Sequence, residues 1–311
     1  MSDTKVYKLP LSPNYVCDWT ARKGIIELVQ NAADREDVLD FEWEGEGSDS
    51  EDELYSLRIT TSNVQLDQSL LLLGSTSKEV GDKSRGQYGE GMKLAFLTIL
   101  REGIKVKCYN GNKLWTPYFD FCPDFDSMML HVKEEENDGG KDLTFIIEGI
   151  GYKLKQEVID CVLQMQGDYA KTDTSIGSIL KGAEHVGKVF VGGLFVCRES
   201  LDMGYDFNPE VMKLNRDRAN ISGWDLKRET QKMHCEKTPA AEVAEMISGQ
   251  RNDLDYIQYH TNIVPDEVVA EVFKLHVQMN GDVPLAESVS EFKQMKKEGY
   301  KDVVFLGNEG M

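Results

Sequence analysis

The segment from Trp19 to Glu36 restricts the possible folds more than any other part of the chain. Ile25, Ile26, Leu28, Val29, Ala32 and Ala33 cover most of the circumference of a helix there, so the helix is expected to be largely buried. Glu27, Asn31 and Asp34 stand at i, i+4 and i+7 on it. At ~100° per residue these three side chains fall within about 60° of one another. A carboxylate buried without a partner costs several kcal/mol. The polar stripe is therefore expected to face a solvated cleft, a metal ion or a set of matched donors. Asp18 stands where an N-cap is needed.

A second constraint lies further along. Gly86-Gln87-Tyr88-Gly89-Glu90-Gly91-Met92-Lys93 is a GxxGxG run leading directly into an apolar helix over about Met92–Arg101. Glycines let the backbone approach an anion, and the unpaired N–H groups of a helix start donate to phosphate oxygens. Gly74 to Lys78 adds hydroxyls and a cation at the other end of the same loop. No strand leads directly into the glycines, which separates this pattern from the dinucleotide fingerprint.

Around these segments the order of elements predicts an α+β chain. Strand-like runs are expected at Leu54–Thr61, Ile104–Tyr109, Leu114–Phe121, Met128–Val132 and Leu143–Glu148, with Asn110-Gly111 as a hairpin turn. Helix, strand, loop, helix and then consecutive strands imply a two-layer sandwich, a mixed sheet with helices on one face. After Gly151 a helix is expected over Leu154–Gln166, then a strand hairpin over Lys188–Cys197. Helical patterns follow over Ala240–Ile247, Pro265–Met279 and Leu285–Lys297, and a last strand over Val303–Leu306. The 311 residues suggest about two domains. They are placed at 1–150 and 151–311, the second a helix-rich α/β region with a further break near 236.

Composition removes several functional classes. With 41% hydrophobic and 29% charged residues the chain is globular rather than disordered or membrane-embedded. Met1–Pro10 lacks the apolar core of a signal peptide, and the expected location is the cytoplasm. The net charge of −19 argues against coating nucleic acid by bulk charge and leaves room for a basic partner. Much of it is local, since Asp40–Glu53 holds eight carboxylates and no Lys or Arg. This stretch is read as a solvated loop. Six cysteines spread singly and five scattered histidines give no zinc-type spacing, and His234-Cys235 is read as incidental.

Taken together, Glu27-Leu28-Val29-Gln30-Asn31-Ala32-Ala33-Asp34 resembles the N-box of the GHKL superfamily, which comprises gyrase B, heat-shock chaperone, histidine kinase and MutL ATPases. The glycine loop resembles its ATP lid, and Gly140-Lys141-Asp142-Leu143-Thr144-Phe145-Ile146 resembles its late strand, whose threonine lies near the adenine. The resemblance covers about residues 15–150. Asn14-Tyr15-Val16, Leu71-Leu72-Leu73-Gly74 and the glycine loop are also similar to phage and bacterial ATP-binding proteins.

The resemblance implies a Bergerat-type fold with ATP and Mg²⁺ as cofactors. It implies Asn31 as the Mg²⁺ ligand, Glu27 as the residue that orients and deprotonates water, and Asp34 as support. Gly86, Gly89, Gly91 and Met92 would wrap the phosphates, and Lys93 with Lys78 would neutralise charge. Thr144 would lie near the base. The family's Asp-x-Gly-x-Gly after the first strand is missing, replaced by Thr60-Thr61-Ser62-Asn63-Val64. Thr61 or Asn63 is left to meet the base, or base specificity is relaxed, or nucleotide binding is weak or lost. Among Lys213, Arg216 and Arg218, one would sense the γ-phosphate, the alternative being a surface patch paired with Asp217.

Two functions follow. One is slow, Mg²⁺-dependent ATP hydrolysis driving a conformational switch, in a homodimer or with a protein partner. The other is a non-enzymatic interaction or inhibitor protein, phage-encoded and aimed at a host system, on a degenerate scaffold of this kind. A histidine-kinase catalytic domain is disfavoured, because only about 18 residues precede the helix that carries the N-box, too few for a dimerisation and phosphoacceptor helix.

Overall fold

The computed structural model describes residues 4–33, 39–45, 53–71, 90–212, 221–259, 261–281, 283–286, 289–301 and 303–305. The chain divides into two compact units. One is Met1–Asp168 with Gly193–Phe195; the other is Tyr169–Gly192 with Val196–Met311. The described residues form α+β structure with two main sheets, and none of their helices is long and apolar enough to cross a membrane.

The first unit runs β1 (Lys5–Lys8), α1 (Ala21–Ala33), β2 (Leu39–Glu44), β3 (Leu54–Thr61), α2 (Gly91–Arg101), β4 (Lys105–Asn110), β5 (Lys113–Cys122), β6 (Ser127–Glu136), β7 (Leu143–Gly151) and α3 (Tyr152–Cys161). Its seven strands lie in the order β1-β6-β5-β4-β7-β3-β2. Every pairing is antiparallel, so the mixed sheet expected from the sequence is corrected here. Long loops and helices join strands that are not neighbours, yet each returns antiparallel to its partner.

Alternation makes one sheet face apolar. Leu57, Ile59, Phe145 and Ile147 are buried on it against Ile25, Leu28 and Val29 of α1, Phe96 and Ile99 of α2, and Val158 of α3. The opposite face carries Arg58, Thr60, Lys107, Thr144 and Glu148, all half-buried. Ion pairs cross it, among them Lys107 with Glu148 at 3.2 Å and Arg58 with Glu42 at 3.5 Å and Glu44 at 3.8 Å.

Two sequence expectations for this unit shift. The helix begins at Ala21, and its start is capped by the Thr20 hydroxyl accepting from Lys23 N, rather than by Asp18. Residues 15–18 form turns instead, with Trp19 N bonded to Val16 O. The stretch read as an acidic loop begins with a strand, since β2 pairs along β3 from Leu39–Thr61 to Glu44–Ser56.

The second sheet contains β8 (Lys171–Thr174), β9 (Gly177–Leu180), β10 (Lys188–Val191), β11 (Leu194–Arg198, of which Val196–Arg198 belong to the second unit) and β12 (Gly204–Phe207), ordered β11-β10-β12-β9-β8 with β10 and β12 parallel. Then follow α4 (Gly223–Lys237), α5 (Ala240–Ser248), α6 (Asp266–Asn280) and α7 (Val289–Lys297). Helix α4 was absent from the sequence reading because its inner face is mostly polar. Thr230, Gln231 and His234 are fully buried on it. The Tyr205 hydroxyl and His234 Nε2 are 2.8 Å apart, and His234 Nδ1 meets the Thr238 hydroxyl at 2.9 Å. The buried Asp253 carboxylate accepts from Asp202 N at 2.8 Å. His234 thus belongs to a hydrogen-bonded seam.

A buried carboxylate in the first unit links its stability to pH. Glu134 accepts from Trp115 Nε1 at 2.8 Å and Lys113 Nζ at 3.1 Å. Burial pushes its carboxyl up, but the Trp115 and Lys113 contacts outweigh this and hold it below the ordinary carboxylate value. A depressed folded-state value adds stability above the unfolded value and loses it as pH falls through the folded one. Glu134→Gln is therefore expected to flatten the loss of stability below about pH 4.5, measured by urea denaturation across a pH series.

Gly24 sets the spacing of α1 and α2. A Cβ at Gly24 would stand 2.3 Å from Thr98 Oγ1 and 3.1 Å from Ala95 O, the latter a backbone atom that cannot swing aside. Gly24→Ala is expected to cost about 1–3 kcal/mol in chemical denaturation by forcing the helices apart.

Candidate functional site

Helices α1 and α2 run antiparallel, and their contacts step along both. Ala21 N donates to Glu102 Oε1 at 2.6 Å, Gly24 meets Ala95 and Thr98, and Glu27 meets Gly91. This register delivers the half-buried Glu27 side chain to the first residue of α2. A Cβ built on Gly91 would fall 1.9 Å from Glu27 Oε1. A larger residue there would oblige the Glu27 side chain to turn away from the helix start.

Among the described residues the start of α2 shows no side-chain cap. Its N-cap, Glu90, makes no side-chain capping bond, and the first i→i−4 bond is Leu94 N to Glu90 O at 3.1 Å. The Gly91 and Met92 amides precede that bond and lie outside the ladder. The end of the helix dipole favours the nearby Glu27 carboxylate by about 0.3–1 kcal/mol.

Asn31 continues the stripe one turn on from Glu27. Its Nδ2 donates to Glu27 O at 2.8 Å and reaches Glu27 Oε1 at 3.5 Å. With the nitrogen so engaged, Oδ1 is the side-chain atom of Asn31 suited to a metal ion, a hard oxygen of the kind Mg²⁺ takes. Among the described residues no group of three or more His, Cys, Asp or Glu side chains could hold a metal. A nucleotide-borne Mg²⁺ requires only one or two protein ligands, so Asn31 and Glu27 fit that use and not a self-sufficient metal cage.

The structure therefore brings together Glu27, Asn31, Gly91 and Met92, although the Met92 side chain is buried in the core. It uses Lys93 differently from the expectation. The Lys93 side chain is fully buried, and its Nζ donates to Leu70 O at 2.9 Å. Burial lowers its ammonium below the ordinary lysine value, partly offset by Glu90.

Thr61 and Asn63 separate as well. Thr61 ends β3 on the helix-side face, completely buried, and its Oγ1 has no hydrogen-bond partner among the described residues. An orphaned buried hydroxyl costs about 1–3 kcal/mol. Asn63 is exposed, sits at φ +56° and donates its backbone N to Asp142 Oδ1 at 2.9 Å. Thr144 does not join the helix-side group. Alternation along β7 places it on the opposite sheet face, 3.3 Å from the Thr60 hydroxyl. There it lines a groove of about 380 Å³ with Arg58, Tyr109, Asn137, Asp142 and Ile146. Asp34, Lys78, Gly86, Gly89, Lys213, Arg216 and Arg218 lie outside the described residues.

Sequence reasoning missed three residues that fix this geometry. Gly24 could have been found, because a glycine inside a strong helix pattern marks a close approach. Glu102 gave no signal, since its partner is 81 positions away. Asn110 had been read as turn chemistry, but it ends β4 and the loop is Gly111-Asn112. Its side chain accepts from Leu66 N at 2.7 Å and donates to Leu66 O at 2.9 Å, pinning the segment that follows β3.

The contact between Glu27 and Gly91 is testable by a double-mutant cycle. The effect of Gly91→Ala on stability is expected to differ by about 0.5 kcal/mol or more between the parent chain and a Glu27→Ala chain. Urea denaturation of the four proteins gives the coupling.

No family model matches the sequence, and no curated protein compared with it does either.

Proposed function

We propose that the first unit is a Bergerat-type nucleotide-binding domain that binds Mg-ATP between α1 and the start of α2 and hydrolyses it slowly, as the reset step of a conformational switch. The observation that carries this reading is the placement of Glu27 against Gly91 at a helix start without a side-chain cap among the described residues, with Asn31 one turn away. Anions are favoured at such a helix start, and the Gly91 and Met92 amides are suitable donors to phosphate oxygens. Asn31 Oδ1 would hold the ion. Glu27 would orient a water and take its proton, a role worth roughly 10²–10⁴-fold in rate. Bound Mg-ATP supplies the phosphoryl group and the charge neutralisation that its transfer needs.

A second reading is an interaction protein on this scaffold without turnover. It is favoured by Thr144 facing away from the helices and by Lys93 bonding the chain's own Leu70 carbonyl.

Calorimetry with Mg-ATP and a non-hydrolysable analogue, alongside phosphate release, separates the two. Glu27→Ala is expected to reduce hydrolysis about 100-fold or more while binding persists, and Asn31→Ala to abolish Mg²⁺-dependent binding. Unchanged hydrolysis in purified Glu27→Ala protein overturns the catalytic assignment. Absence of any binding heat in the parent protein overturns the nucleotide reading and leaves the second.

A further inference from the structure

The acidic stretch that begins at Asp40 has no part in the nucleotide reading. Its first portion is β2, a six-residue strand at the end of the seven-stranded sheet. One side of β2 is paired to β3 along its whole length. On the other side no strand of the described residues lies beside it, so alternate N–H and C=O groups point away from the sheet. Such an edge is a template for an added strand.

The two side-chain rows of β2 differ sharply. Leu39, Phe41 and Trp43 are half-buried and pack at the margin of the core, leaving apolar flank uncovered. Asp40, Glu42 and Glu44 form the other row, and all three are exposed. Arg58 is the cation within ion-pair distance of this row among the described residues, 3.5 Å from Glu42 and 3.8 Å from Glu44. Three carboxylates thus face one guanidinium.

From this we infer that the free edge of β2 docks a strand of a partner protein in which basic and apolar residues alternate. Its backbone would complete the ladder. Its basic residues would stand opposite Asp40, Glu42 and Glu44, and its apolar ones would cover Leu39, Phe41 and Trp43. The charge row also selects against the chain itself. Pairing β2 with its own copy sets like charges opposite one another, which is destabilising. The other edge, β1, carries only Lys8 as a cation on the corresponding face, because Lys5 shares the face of Tyr7, which packs on the core. The inference is independent of nucleotide binding.

The test uses the full-length protein and three synthetic probes: a Lys-Val-Lys-Val-Lys-Val peptide, its Glu-Val counterpart, and the basic peptide with alternate backbone nitrogens methylated. Amide hydrogen exchange is read along the whole chain. The basic peptide is expected to slow exchange within residues 39–44 by roughly tenfold at saturation, and the other two to leave it unchanged. The triple variant D40N/E42Q/E44Q is expected to bind the basic peptide on the order of tenfold more weakly, from three cross-strand charge pairs. Equal protection by the acidic or the methylated peptide overturns the proposal, as does protection confined to other strands. Protection of 39–44 that rises with protein concentration in the absence of peptide assigns the edge to a second copy and overturns it too. Should the triple variant fail to fold, the three probes on the parent protein decide the matter alone.

Discussion

The close antiparallel contact of α1 with α2 is the constraint on which the rest of the first unit depends. It is written in three steps, Ala21 with Glu102, Gly24 with Ala95 and Thr98, and Glu27 with Gly91. Side-chain volume is nearly absent at two of them, so the helix backbones approach further than ordinary packing allows. That approach buries Phe96 and Ile99 against the same sheet face as Ile25 and Leu28. It also determines which α1 residue meets the start of α2. A register one turn different would bring another side chain there, and the acid and amide of α1 would no longer share a location with the first residues of α2.

The parts of this arrangement that were legible in the sequence are those carried by apolar periodicity. The six apolar residues of α1, the apolar run of α2 and the alternation of Leu57 and Ile59 in β3 all report a buried face directly. Pairing partners and caps are not written that way. Thr20 displaced Asp18 as the cap because the turns through residue 18 hold the chain outside the helix until Ala21. Strand β2 was hidden because its exposed row is wholly acidic, which reads as solvated loop until β3 is seen beside it. The orientation of Thr144 depends on register by a single residue, and one step along a strand turns a side chain to the other face.

Helix α4 shows a different limit. Its buried face joins two apolar residues, Leu226 and Met233, to hydrogen-bonding groups matched to Tyr205, Thr238 and the backbone around Asp253. A helix of this kind is stable only when each polar group finds its partner, because an unmatched one inside a protein is costly. Composition along the helix carries no trace of those partners. The seam thereby helps to specify where the irregular segment at 252–259 sits, since the Thr230 hydroxyl reaches Asp253 O, and the Gln231 amide, turned over so that its oxygen faces them, would accept from Tyr256 N and Ile257 N.

Asn110 has a bearing on the chemical lifetime of the chain. An asparagine followed by glycine is the dipeptide most prone to deamidation, in which the glycine nitrogen attacks the side-chain carbonyl and ammonia leaves. In the native protein both reacting groups are engaged: Gly111 N donates to Asp142 O at 3.0 Å, and the buried Asn110 amide is held on both polar atoms by Leu66. The folded state thus shelters a bond that the unfolded chain exposes. Conversion to aspartate would remove the Nδ2 donor and leave Leu66 O facing an anion. Each excursion to the unfolded state consequently carries a risk of covalent ageing, and molecules that age there no longer refold to the same structure.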